Sequence, residues 1–157
     1  RPEELSNNSA TSEQFVAEFL DKHPCEWLVQ VHSIAPLLSV GDIRRFVEFL
    51  KASDADAVMS YEPIQIECAL EGVPVNFTFD EKTNSQDLEP LQRISWSITA
   101  WKRDTFLAAV KDKHCATYSG KVAFFPVSQL ASHVIKTEED LAVAEALLPL
   151  VDNEAAQ

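Results

Sequence analysis

The sequence predicts an α/β domain: a mostly parallel sheet flanked by helices, interrupted by an antiparallel excursion. Three observations predict it. Two largely apolar runs of strand type, residues 26–32 ("EWLVQVH") and 56–62 ("DAVMSYE"), bracket an amphipathic helical pattern with short connections, which is a βαβ unit. After Pro63 the period changes to two and stays there in several runs up to about residue 102. A further strand beginning at Gly120 is then followed by a capped helix.

The elements follow in order. Residues 12–23 ("SEQFVAEFLDKH") place Phe15, Val16, Phe19 and Leu20 on one helical face, with Ser12 as the expected N-cap and Pro24 beyond the end. Residues 26–32 read as a strand buried on both faces. A loop set by Pro36 leads to a second helix over 41–53, with Ile43, Phe46, Val47 and Leu50 inward, and then to the strand 56–62. The run "IQIECALEGVPVNFTFDE" alternates on either side of Glu71-Gly72, a hairpin signal. A polar loop (82–92), an alternating strand (93–102), a short helix ("RDTFLAAVKDK") and the strand 120–127 complete the pass. In "SHVIKTEEDLAVAEALL" (132–148), Thr137 caps a helix and Asp140 three residues later completes a capping-box-like pair. Leu141, Ala144, Leu147 and Leu148 form its expected core-facing stripe. The expected organisation is one domain over 1–157 with an antiparallel element over 63–118.

Composition narrows the function. A net charge of −12 with no Lys/Arg block argues against non-specific nucleic-acid binding. No apolar run reaches the roughly 20 residues of a membrane span, and no signal-peptide pattern opens the chain. Cys25, Cys68 and Cys115 are odd in number and lack a CxxC pair, which suits reduced thiols and a cytoplasmic protein. Glycines occur only at 41, 72 and 120, so the chain contains no Gly-rich phosphate loop.

Four stretches, taken in order, carry a resemblance. "RPEELSNNSATS" is similar to an Arg-Pro-x-x-Leu-Ala-x-Asp segment, and "WLVQVHSIAPLL" to a strand ending in Gln-Pro-Thr-Ser-Pro-Leu. "SQDLEPLQRISWSITAWKRDTFL" is similar to Gln-Asp-Leu-Pro…Asn-Gly-Ala-Ile-Tyr-Ile, and "VIKTEEDLAVAEALL" to Asp-Ile-Asp-Thr-Glu-Glu-Asp-Leu followed by Ala-Glu. Together they resemble the CMP-sialic acid synthetase (acylneuraminate cytidylyltransferase) family over nearly the whole chain. The resemblance implies a Rossmann-like nucleotidyltransferase sheet, incomplete at its amino end, with an inserted antiparallel dimerisation element in a homodimer. It implies transfer of CMP from CTP to an acidic sugar: the anomeric hydroxyl attacks the α-phosphate and pyrophosphate leaves, chemistry that rests on positioning and charge neutralisation.

Carried over residue by residue, the resemblance implies that Arg1 and Ser12 contact the nucleotide base. It places His32, Gln92, Arg93, Ser95 and Thr99 at the sugar and Lys136 near the phosphates. Bland readings stand beside these: an exposed terminal arginine for Arg1, a helix cap for Ser12, a satisfied strand-end histidine for His32, and solvated loop charge for Gln92 and Arg93. Trp96 and Trp101 read as core or dimer contacts. Ser95-Trp96 replaces Asn-Gly and Thr99 replaces a tyrosine, so the sugar pocket is expected to differ in shape.

Two departures bear on activity. The family's Gly-rich triphosphate loop would lie upstream of Arg1, so residues 1–157 alone are expected to form no CMP-sugar. The family's paired metal-binding aspartates fall on Val134 and Lys136, which puts Mg²⁺ dependence in doubt, since magnesium requires hard oxygen ligands. A lysine there offers a positive charge in place of the metal, or marks a non-catalytic relative that serves as a binding or dimerisation module. A nucleotidyltransferase of the same fold with a different sugar or nucleotide is the third reading.

Overall fold

The computed structural model describes residues 10–154, with side chains through Val151. Helix α1 (Ser12–Lys22) is followed by β1 (Trp27–Val31), α2 (Val40–Ala52) and β2 (Ala57–Ile64). A small hairpin, β3 (Ala69–Leu70) and β4 (Val73–Pro74), precedes the long strand β5 (Leu91–Lys102). Then come α3 (Arg103–Lys111), β6 (Val122–Pro126) and α4 (Glu138–Glu154).

The main sheet has the order β1-β5-β2-β6. β1 and β2 are each antiparallel to β5 and therefore parallel to one another, and β6 pairs with β2 in parallel. The βαβ unit is present, but its strands are not neighbours: β5 lies between them. The reason is in β5 itself, where Ile98, Thr99, Ala100 and Trp101 are all buried and need cover on both faces, which a central position supplies. The segment expected as one antiparallel element over 63–118 therefore divides, because β5 and α3 belong to the main α/β layer. Only the β3–β4 hairpin stands apart as its own two-stranded sheet. Its turn is the one expected, with Glu71 at φ 51° and Gly72 at φ 82°, the paired positive values of a two-residue hairpin loop.

Side chains alternate across the sheet into two cores. Val58, Ile98, Ala100 and Phe125 meet Phe46 and Leu50 of α2 on one face. Ala57, Met59 and Trp101 meet Val16 and Leu20 of α1 and Phe106 of α3 on the other. Gly120, at φ 70°, precedes β6 where a Cβ would lie 2.6 Å from the Asp56 side chain, so glycine is required there on both counts.

Three local expectations are corrected. The N-cap of α1 is Thr11, not Ser12: Thr11 Oγ1 accepts from the Gln14 N–H (3.3 Å) and Gln14 Oε1 accepts from the Thr11 N–H (2.7 Å). Two hydroxyl residues stand side by side, and the one three residues before a glutamine can close the reciprocal box. Phe19, expected inward, is 44% exposed beside β1, the edge strand of the sheet. In α4 the capping box forms as expected, but of the proposed stripe only Ala144 is buried, while Leu141 and Leu148 are exposed. Periodicity states which residues share a helix face, not that a partner covers that face.

Candidate functional site

The carboxyl ends of the parallel strands β1, β2 and β6 point the same way, and ligands of open α/β sheets bind at that edge. Here it carries two cavities. The larger, about 320 Å³, is lined by His32 and Ile34 after β1, Arg93, Ile94, Ser95 and Trp96 of β5, and Ser132, Val134 and Lys136 after β6. The smaller, about 170 Å³, is lined by Ser12, Glu13 and Val16 of α1, Gln30, His32, Trp96, Trp101, Phe106 and Thr117. His32 and Trp96 line both. The loops after β1 and β6 are tied together by the Ile135 N–H donating to the Ile34 carbonyl at 2.8 Å.

A break in the sheet creates the larger cavity. Between Met59 and Tyr61 β2 advances two residues, while β5 passes five between Thr99 and Ile94. The extra backbone of β5 bulges over Ser60. The hydroxyls of Ser60, Ser95 and Ser97 close a ring beneath it (Ser60–Ser95 2.8 Å, Ser95–Ser97 2.8 Å, Ser60–Ser97 3.2 Å), and Ser60 Oγ also accepts the Ile98 N–H. Trp96, at the crest, has φ 58°. A bulky residue in that region costs on the order of 1–3 kcal/mol and is found where surrounding structure over-determines it.

His32 continues the ladder of β1, its N–H donating to the Ser97 carbonyl at 3.0 Å. Its Nε2 lies 3.4 Å from Thr99 Oγ1, and burial lowers its pKa, so the ring is neutral near pH 7. Arg93 pairs with Glu62, which also accepts the Ser132 hydroxyl at 2.6 Å. Burial pushes the Glu62 carboxyl up, but the bonds from Ser132 and Arg93 outweigh it and hold the group below the usual glutamate range. More than half of the Arg93 side chain remains exposed, so its guanidinium keeps donors free beyond the pair.

Lys136 closes the cavity opposite. Its backbone N–H donates to Asp140 Oδ2 (2.9 Å), as does that of Thr137 (2.8 Å), and these bonds hold the Asp140 carboxyl below its ordinary value. Asp140 is thus taken up by the helix cap, and among the described residues no ion pair joins the Lys136 ammonium to a carboxylate. In a chain of net charge −12, the cavity gathers a free lysine, a partly free arginine, two hydroxyls and an indole. That set suits an anion bearing hydroxyl groups.

Of the residues singled out by sequence, His32, Arg93, Ser95 and Lys136 line this cavity, and Ser12 lines the adjoining one. Thr99 is fully buried behind His32 and acts on the cavity only through that ring. Gln92 is exposed opposite Pro63 of β2 and does not line the cavity. Arg1 lies outside the described residues. Sequence reading missed Glu62, Ser132 and the wall formed by Trp96. The available signals were a carboxylate ending an otherwise apolar strand and a Trp where the resembling family carries Gly. Val134 contributes no oxygen, and among the described residues no three His, Cys, Asp or Glu side chains converge as a metal site. Glu62 is committed to Ser132 and Arg93, so among the described residues the cavity lining offers no free carboxylate to a hard cation.

No protein-family model and no curated protein sequence matches the chain. Solved structures do. The bifunctional IspDF of Campylobacter jejuni matches 84% of this chain at TM-score 0.60 and 16% identity. The 4-diphosphocytidyl-2C-methyl-D-erythritol synthase of Anaerococcus prevotii DSM 20548 matches 90% of it at TM-score 0.61 and 16% identity. The chain shares the α/β fold of these two structures. It spans 34% of the first neighbour's length and 68% of the second's. Neither neighbour is named as an acidic-sugar enzyme, and at this identity the likeness extends to the fold alone. None of the described helices is long and apolar enough to cross a membrane.

Proposed function

We propose that this chain is part of a cytidylyltransferase that transfers CMP from CTP to an acidic sugar, sialic-acid-like or a related ulosonate, and releases pyrophosphate. One observation carries the reading: His32, Arg93, Ser95 and Lys136, widely separated in sequence, line one cationic cavity at the carboxyl edge of the sheet. In this reading the free donors of Arg93 take the sugar carboxylate, and Ser95 and His32 bond its hydroxyls. Lys136 neutralises charge that builds on the phosphates as the sugar hydroxyl attacks and pyrophosphate departs. Ser12, on the rim of the second cavity, faces the base. The three unpaired cysteines favour a cytoplasmic setting, and the exposed Ile66, Leu70, Val73, Val75 and Phe79 around the hairpin favour a homodimer.

Val134 and Lys136 support a second reading, a non-catalytic relative that binds ligand without turnover, and the same substitutions imply an altered Mg²⁺ requirement if the protein is an enzyme. Calorimetric titration of CTP, UTP, ATP and GTP into the full-length protein separates the possibilities. CTP is expected to bind at least about tenfold more tightly than the others, since a site built around one base's polar edge rejects its competitors strongly. Equal binding of all four removes the cytidylyl assignment. Lys136→Asp in the full-length protein, with a magnesium titration, then tests the lysine: the variant is expected to become metal-dependent, and an unchanged requirement contradicts the charge-substitution role.

A further inference from the structure

We infer that Trp96 is a specificity-determining wall, held by a left-handed backbone so that its indole separates a cationic chamber for a compact anionic group from an aromatic chamber beside it. The inference rests on the anion-site reading above. Trp96 and His32 are common to the linings of both cavities, and their rings meet edge-on at 6.2 Å. The indole also meets the Tyr118 ring, tilted at 6.3 Å, so two rings contact it. The two chambers differ in chemistry. One holds Lys136, Arg93 and the Ser95 and Ser132 hydroxyls; the other holds Trp101, Phe106, Val16 and the Gln30 amide. Glu13 also lines the second chamber, and its Oε1 accepts from the Thr117 N–H (2.7 Å) and hydroxyl (2.6 Å).

The backbone supplies the second argument. At φ 58° a glycine would sit without strain, whereas tryptophan is unfavourable. The bulge, the hydroxyl ring beneath it and the two contacting rings hold the unfavourable residue in place. The ring ends up where it closes one chamber from the other. Without it, about 170 Å³ of aromatic space would join the cationic cavity of about 320 Å³. The wall therefore sets ligand size: a compact anion fits, and an anion carrying a planar apolar extension is turned away.

Two probes on the full chain test this, inorganic phosphate and phenyl phosphate, titrated calorimetrically into wild type, Trp96→Gly and Trp96→Ala. Wild type is expected to bind inorganic phosphate and to prefer it to phenyl phosphate. Both variants should gain at least about tenfold for phenyl phosphate relative to inorganic phosphate. Thermal denaturation checks the backbone half: Trp96→Gly is expected to melt above Trp96→Ala, since only glycine relieves the positive φ. Unchanged selectivity in both variants, with phosphate still bound, overturns the wall alone. Failure of wild type to bind phosphate overturns the anion-site reading and the wall with it.

Discussion

From Thr99 to Trp101, β5 is paired on both sides, by β1 and by β2, and around this stretch its side chains alternate into two cores. From Leu91 to Ile94 the same strand pairs only with β2, and between the two stretches it bulges, turns Trp96 into a left-handed conformation and lines a cavity with Ser95 and Arg93. A ladder satisfied on both sides leaves no backbone freedom, so the sequence there is selected for packing. Where β1 ends, the backbone is released on one side, and polar side chains can be aimed at a ligand at the cost of local stability.

That contrast can be broken from its packed end first. Ile98→Ala removes a fully buried side chain from the packed end, next to the doubly paired stretch, and is expected to cost about 2–5 kcal/mol of stability, read from denaturant unfolding. Below the shifted transition, phosphate affinity should stay unchanged, because Ile98 does not line the cavity. A matching loss of affinity would mean the two halves are not separable.

Glu62→Gln acts at the polar end, leaving Arg93 with a neutral partner. The expected loss is on the order of 1–3 kcal/mol, the range for a hydrogen-bonded charge losing its partner. The acid limb of the stability curve should change with it. Glu62 and His32 both have lowered pKa values in the fold, so each contributes stability that is full above its ordinary value, 4.5 and 6.5 respectively. Each contribution is lost as pH falls through the lower folded value. Unfolding measured across pH should therefore show stability declining from below about 6.5. The variant should lose only the share of the decline below about 4.5 that belongs to Glu62, keeping the shares of Glu13, Asp56 and Asp140 and the part due to His32. An acid limb identical to wild type would exclude Glu62 as a contributor.

Lys136→Ala separates binding from folding. Phosphate affinity is expected to fall about tenfold, the weight of one charge-assisted contact, with stability changed by no more than about 0.5 kcal/mol. The smallest effect belongs to the residue next to it. Thr137→Ala removes the cap of α4 and should cost about 1 kcal/mol with little change in affinity. If Thr137→Ala weakened phosphate as much as Lys136→Ala, the cap and the site would be one unit.

Much of this was legible in the residues. Helix α2, the Glu71-Gly72 turn, the Thr137–Asp140 cap and the strand character of 93–102 follow from periodicity and local hydrogen-bonding chemistry, which act over a few residues. The order of four short motifs was enough to nominate His32, Arg93, Ser95 and Lys136 as neighbours. Other features depended on contacts made far along the chain. The place of β5 between β1 and β2 joins segments about sixty-five residues apart, as in the pairing of Val31 with Ile98, and no local pattern encodes it. Glu62 read as the end of a strand until Ser132, seventy residues on, proved to be its partner. The left-handed Trp96 runs against local preference, because only a bulge, a hydroxyl ring and two contacting rings together outweigh its strain. Short-range physics thus settles the elements and their caps, while the cavity exists because distant strands meet and one of them fails to stay regular.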